Sequence, residues 1–250
     1  MLIDTHCHIH DVDYPLDISE TLKNARDKGI KKLICIGTDN EDSRRAVDFT
    51  NQHDGVFASV GVHPHEAKSG WDKIDGLINP DSKLIVAVGE IGLDYHYDHS
   101  PRDVQIQALE SQIEIALKHN LPIIFHVREG FDDFWPVFDN FHGIRGVLHS
   151  FTDNSFNACQ GLNRGLYIGI SGFSTFTKDE QQKIMFASLP LDKILLETDA
   201  PFLTPAPLRG KVNEPAYVSS IAEHQSAIRK ISFEEIVNAT TANACALFKF

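Results

Sequence analysis

Residues 2–10 read LIDTHCHIH, a short apolar run that ends in imidazoles at His6 and His8. The run has the length and composition of a buried strand, and on an extended chain rising about 3.3 Å per residue, side chains two apart point the same way. His6 and His8 can therefore face one ion from a single strand end. The device recurs outward along the chain. Strand-like runs are predicted at 2–6, 32–36, 56–62, 84–90, 122–127, 145–149, 166–170 and 193–198, and four of the later ones end within one residue of a further potential ligand: Glu90, His126, His149 and Asp199. Several runs are almost continuously apolar, as parallel strands covered on both faces must be.

Helix-period segments fill the intervals. Residues 102–119 are predicted as a helix with Ile106, Leu109, Ile113, Ala116 and Leu117 on its apolar side and Gln105, Glu110, Gln112 and Lys118 opposite, opened by Ser100 as N-cap and Pro101 in the first turn. Thr38 with Glu41, Thr177 with Glu180 and Ser232 with Glu235 have capping-box spacing, and 216–248 reads as two helices broken near 230–232. Eight β-then-α units in 250 residues predict an α/β chain, a single (β/α)8 TIM barrel domain spanning 1–250. An open doubly wound sheet would scatter ligands carried by the first, fourth, fifth, sixth and eighth runs, whereas barrel strand ends surround one point.

Composition narrows the partners. With 23 basic against 35 acidic residues the net charge is −12, so nucleic acid cannot be held mainly by a basic surface, and any contact with it must be local. Cys7, Cys35, Cys159 and Cys245 form no CxxC pair and no cleavable apolar leader precedes Asp4, which leads us to expect a reduced, cytoplasmic protein. No apolar run approaches the roughly 20 residues that span a bilayer. No obligate protein partner is indicated.

Six ligands, His6, His8, Glu90, His126, His149 and Asp199, exceed what one catalytic ion requires, so two divalent ions sharing a carboxylate are expected, with Glu90 as the bridge. Such a pair activates water and offsets charge in the displacement of a phosphate ester. Asp199 is a candidate to orient or deprotonate the attacking water. His63, in Gly61-Val62-His63-Pro64-His65, is a candidate to bind substrate phosphate or assist the leaving group. Arg128, two residues after His126, offers a planar fork for phosphate oxygens, and Arg209, Lys211 and Asn213 lie in a loop after the eighth run, where barrels often hold phosphate. Cys7 should point away from the ligands on either side of it. Asp94 and Tyr95 either brace the loop after Glu90 or touch substrate.

The segments IDTHCHIH, GVHPH, VGEIGLDYHYD, LPIIFHVRE, VLHSF, LLETDAPFLTP, RGKVNEPAYV and ATTANACALF resemble, in order and over nearly the whole chain, the TatD-type metal-dependent deoxyribonucleases of the amidohydrolase superfamily. The resemblance implies a β/α barrel, two divalent-cation sites and hydrolysis of DNA phosphodiesters from 3′ ends, with single-stranded DNA as substrate and a place in DNA repair or turnover. It implies His6, His8, Glu90 and Asp199 around one ion and Glu90, His126 and His149 around the other. Mg2+ or Mn2+ is the expected working ion, although so many imidazoles also suit Zn2+ or Ni2+. Asp153 and Val212 depart from the family pattern and remove attraction for phosphate. Two other readings stand beside it: a small-molecule amide, lactone or phosphoester hydrolase on the same barrel, and a metal-holding scaffold without turnover.

Overall fold

The computed structural model describes residues 1–97 and 99–250. Eight parallel strands make one sheet in the order β1 to β8 and alternate with helices, the (β/α)8 barrel fold that the run pattern predicts. The strands are β1 (Leu2–Cys7), β2 (Ile30–Ile36), β3 (Val56–Val60), β4 (Ile85–Asp94), β5 (Ile123–Arg128), β6 (Gly146–Leu148), β7 (Tyr167–Ile170) and β8 (Ile194–Leu196). The helices are α1 (Ile18–Asp27), α2 (Asn40–Thr50), α3 (Ile74–Leu77), α4 (Arg102–Lys118), α5 (Phe131–Asp139), α6 (Ser155–Asn163), α7 (Glu180–Ser188), α8 (Val218–Arg229) and α9 (Phe233–Phe248).

The boundaries depart from expectation where local chemistry is stronger than run length. β4 continues four residues past Glu90, so Asp94 is a strand residue and not part of a loop. β6 and β8 stop early, at Leu148 and Leu196, and beyond them Ser150 and Asp199 take left-handed backbone conformations, with φ of 40° and 60°. At two helix starts an aspartate displaces the expected threonine. Asp39 caps α2 by accepting from the amides of Glu41 and Asp42, both at 2.7 Å, and Asp179 caps α7 through the Gln181 amide. A carboxylate is favoured there because it also meets the positive end of the helix. Ser100 does not cap α4; its hydroxyl donates to the His65 carbonyl at 2.7 Å and accepts from the Lys68 amide at 3.1 Å. The Ser232 and Glu235 box forms as predicted, and the break between α8 and α9 falls at 230–232.

The buried face of α4 is also corrected. Gln105 and Gln112 are buried with Ala108, Leu109, Ile113 and Ala116, and not on the solvent side. Each amide clamps one strand-end peptide in the manner of a neighbouring strand. Gln105 accepts from Asp94 N at 2.9 Å and donates to Asp94 O at 3.1 Å, while Gln112 accepts from Val62 N at 2.7 Å and donates to Val62 O at 3.1 Å. Both peptides would otherwise be buried without partners, at about 1–3 kcal/mol per group.

The chain gathers into two compact units. The first comprises Met1–Ile34 and His149–Lys249; the second comprises Cys35–Leu148 with Phe250. In the first, β7 pairs with β8, and α9 lies against β1 and β8 with Ile236, Val237, Ala244 and Leu247 buried. In the second, β3, β4, β5 and β6 pair in sequence, and α5 turns Phe134 and Phe138 onto Phe125, with ring centroids 5.1 and 5.8 Å away.

Candidate metal-binding site

In the first unit the alternation of β1 aims His6 and His8 the same way, and their Nε2 atoms stand 3.2 Å apart. Asp199 Oδ1 lies 3.6 Å from His6 Nε2 and 3.4 Å from His8 Nε2. Main-chain bonds set this triangle: Asp199 N donates to His6 O at 2.9 Å and His8 N to Ala200 O at 2.7 Å, so the chain after β8 runs beside the end of β1. Cys7, between the two ligands, turns its thiol to the Ile34 carbonyl, as its position in the alternation requires. The three edges are what a divalent ion asks for. Ligands about 2.0–2.2 Å from a metal, at angles between octahedral and tetrahedral, stand roughly 2.9–3.6 Å from one another.

His149, just past β6, stacks on His6 with centroids 3.8 Å apart and planes 12° from parallel, and it shares a possible metal-holding group with His6 and Asp199. Its Nδ1 is 3.3 Å from Oε1 of the buried Glu197, which also accepts the Ser150 amide. Gly169 makes room for that carboxylate, since a Cβ there would sit 2.7 Å from both of its oxygens. Beneath His6, the fully buried Asp4 accepts from Thr198 N at 2.8 Å and Thr198 Oγ1 at 2.6 Å. Burial pushes the Asp4 carboxyl up to about 8, against the downward pull of those bonds.

The second unit carries Glu90 and Asp94 on β4 and His126 and Arg128 on β5. His126 Nδ1 is 3.5 Å from Glu90 Oε2, again a ligand-to-ligand spacing, while His126 Nε2 is 3.0 Å from Asp94 Oδ2. Gly92 allows this approach, because a Cβ there would lie 1.8 Å from the His126 carbonyl. His65 Nε2 meets the same Asp94 oxygen at 2.9 Å. Burial alone would raise the Asp94 carboxyl, but the hydrogen bond and charge of His126 outweigh it and hold the group well below the usual carboxylate range.

His63 stands with its ring centroid 4.3 Å from that of His126, and Nδ1 accepts the His65 backbone N–H at 3.1 Å. A neutral ring with Nδ1 so engaged carries its hydrogen on Nε2, and burial together with the neighbouring His126 lowers its pKa well below 6.5. His63 groups by distance with Glu90 and His126 as a possible ligand, yet this tautomer makes it a hydrogen-bond donor.

Of the other residues singled out in the sequence, Arg128 is exposed at the end of β5 with its guanidinium 5.0 Å over the Tyr97 ring. Arg209 is exposed too, its guanidinium 3.9 Å over Phe176 and donating to Thr204 O. Lys211 lines a cleft of about 320 Å3 beside α1. Asn213 is fully buried, and its amide donates to Thr198 O and Phe202 O and accepts from Glu214 N, so it pins the loop and has no surface to offer a substrate. Tyr95 braces: its hydroxyl donates to Asp133 at 2.8 Å.

Sequence reasoning missed Glu197, Asp4, Gln105 and Gln112. The signals were present. Asp4 and Glu197 are acids inside or at the end of apolar runs, where an unpartnered charge is expensive, and Gln105 and Gln112 fall on the 105, 108, 109, 112, 113, 116 stripe of α4.

Imidazole and carboxylate donors at the strand ends of a (β/α)8 fold are those of a metal-dependent hydrolase. The comparisons then give the family: residues 3–249 match the model described as TatD related DNase, and the chain belongs to that family. It is 35% identical, over 100% of its length and 99% of the relative's, to a Bacillus subtilis protein described as the uncharacterized metal-dependent hydrolase YabD. It is 30% identical to the 3′-5′ ssDNA/RNA exonuclease TatD of Erwinia amylovora, with 99% of each chain covered. Among solved structures it matches YJJV, a TatD homologue from Escherichia coli, with a TM-score of 0.92 and 27% identity over 100% of this chain and 98% of that one. Among the described residues no helix is long and apolar enough to cross a membrane.

Proposed function

We propose that this chain is a nuclease that hydrolyses DNA phosphodiester bonds from the 3′ ends of single strands, using two divalent ions. The observation that carries the reading is the spacing of the donor atoms, 3.2 to 3.6 Å among His6, His8 and Asp199 and 3.5 Å between Glu90 and His126, which fits ligands of a cation in each unit. His149, stacked on His6, completes the set. Ions bound there supply Lewis acidity, lowering the pKa of water and offsetting charge on phosphate oxygens.

The protein's own groups do the rest. Asp199, its carboxylate fixed by a left-handed backbone, orients the attacking water and takes its proton. His63 presents Nε2–H to a phosphate or leaving oxygen, a role open to it because its Nδ1 is already engaged. Arg128 contacts a flanking phosphate with its planar fork. Arg209 and Lys211 are assigned an effect on substrate affinity alone. Mg2+ or Mn2+ supports turnover, while Zn2+ and Ni2+ bind these imidazoles more tightly.

The test is metal-stripped protein with 3′- and 5′-labelled single-stranded DNA, with Mg2+, Mn2+ or Zn2+ added back beside a Glu90→Ala control. Stepwise loss from the 3′ end that requires both metal and Glu90 is the expected result. No cleavage with any ion, at confirmed metal occupancy, overturns the nuclease reading and puts amide or lactone hydrolysis first.

A further inference from the structure

We propose that Asp94 is a positioning residue that fixes the tautomer of His126: by accepting the Nε2 hydrogen, it leaves the lone pair on Nδ1 as the atom His126 offers to a divalent cation. The inference rests on the metal reading of Glu90 and His126 above, and goes beyond it by assigning which nitrogen binds and what decides it.

Asp94 is 1% exposed and has no freedom to turn. Its Oδ1 accepts two backbone hydrogens, from His96 N at 3.0 Å and Tyr97 N at 3.1 Å. Its own peptide is clamped on both sides by Gln105. Oδ2 is therefore committed to the two rings that face it, His65 Nε2 at 2.9 Å and His126 Nε2 at 3.0 Å. A carboxylate only accepts, so each ring must donate, and each neutral ring then has its lone pair on Nδ1. For His126 that nitrogen is the one 3.5 Å from Glu90 Oε2, whereas Nε2 points away from Glu90 into the acid. Carboxylates placed behind a ligating imidazole orient the ring and raise its basicity, and removing one typically costs about 10–100-fold in metal affinity.

The isosteric variant Asp94→Asn gives an unusually sharp expectation. The two backbone N–H groups require an oxygen at the Oδ1 position, so the new NH2 must occupy the Oδ2 position and face the two rings. There it needs acceptors, and His126 satisfies it only by moving its hydrogen to Nδ1, which removes the ligating lone pair.

The experiment combines two readouts on the full chain. Long-range 1H–15N correlation of the histidine rings in metal-stripped protein should find His126 as the Nε2–H tautomer in the wild type and as Nδ1–H in Asp94→Asn. Chelator competition with Mn2+ and Zn2+ should find one of two ions weakened about 10–100-fold in the variant and the other unchanged. His65→Ala, which removes the second ring on Oδ2, should leave the His126 tautomer as in the wild type. Wild-type His126 in the Nδ1–H form overturns the proposal without any variant having to fold. An Asp94→Asn protein that keeps both the Nε2–H tautomer and its affinity also overturns it. Failure to bind ions, with tautomers as stated, would instead strike the metal reading and the role given to Nδ1 together.

Discussion

The two units bring ligands together by different means. In the first, the backbone does it: two imidazoles from one strand converge by the alternation of side chains, and Asp199 is delivered by its own amide bonding to the His6 carbonyl. In the second, Glu90 and His126 stand at ligand spacing, and side chains that we do not assign as ligands support the group: Asp94 behind His126, Gln105 behind Asp94, and Gln112 behind the peptide before His63. Backbone-born geometry tolerates the loss of an outer side chain. A site held by side chains should not. The difference predicts where mutations outside the ligand sets will matter.

The largest effect belongs to the ligands themselves and tests whether the units act as separate binders. Asp199→Ala should lower kcat by about 10²–10⁴-fold, the usual range for a lost general base, while the ion on Glu90 and His126 stays bound. Metal analysis of the purified variant, alongside nuclease rate, checks this. Loss of all metal would mean that the first unit's donors also hold the second ion. Next in size is the contrast between the supporting acids. Asp94 meets His126 at 3.0 Å, whereas Glu197 stands 3.3 Å from His149 and is shared with the Ser150 amide. Glu197→Gln should therefore weaken the first unit's ion by less than Asp94→Asn weakens the second's, within about tenfold in dissociation constant by chelator competition. Equal effects would erase the distinction between the two designs.

The amide clamps come next, and they act on stability. Gln112→Ala and Gln105→Ala each strip partners from a buried N–H and a buried carbonyl, so each should lose about 1–3 kcal/mol or more by urea unfolding. They should differ in function. Gln105→Ala loosens Asp94 and so should also weaken the second ion, whereas Gln112→Ala loosens the peptide before His63 and should raise KM with metal affinity unchanged.

This contrast also explains what could be read from the sequence. The eight runs, and the ligands at their ends, are periodic signals that survive in one dimension: alternation for His6 and His8, apolar continuity for β4 and β8. The helix caps at Asp39 and Asp179 were off by one or two residues because carboxylate and hydroxyl caps compete over short distances, and spacing alone does not decide between them. The supporting residues were hard to see for another reason. A buried glutamine on an amphipathic stripe has the same letter as an exposed one, and only the strand-end peptide it meets, from an element as far away as Val62 is from Gln112, tells them apart. Asn213 shows the converse: a polar residue in a loop near the site looks available to substrate until its amide is found fully engaged.

The last contrast sets the units most directly against each other, because their buried acids have opposite pH signatures. Asp4 in the first unit is raised by burial to about 8, from an ordinary value near 3.9. The native state then holds a proton that the unfolded chain has released, so stability is full below about pH 4 and falls as pH rises toward 8. Asp94 in the second unit is held low, chiefly by His126 against the effect of burial. Here the unfolded chain takes up the proton first, so the contribution is present above about pH 4 and is lost as pH falls below it. Urea unfolding of metal-stripped protein from pH 3 to 9 should show Asp4→Asn flattening the decline between about pH 4 and 8 and Asp94→Asn flattening the one below about pH 4. If both variants altered the same limb, the two acids would be in like environments, and the division between a backbone-built and a side-chain-built group of ligands would lose its electrostatic counterpart.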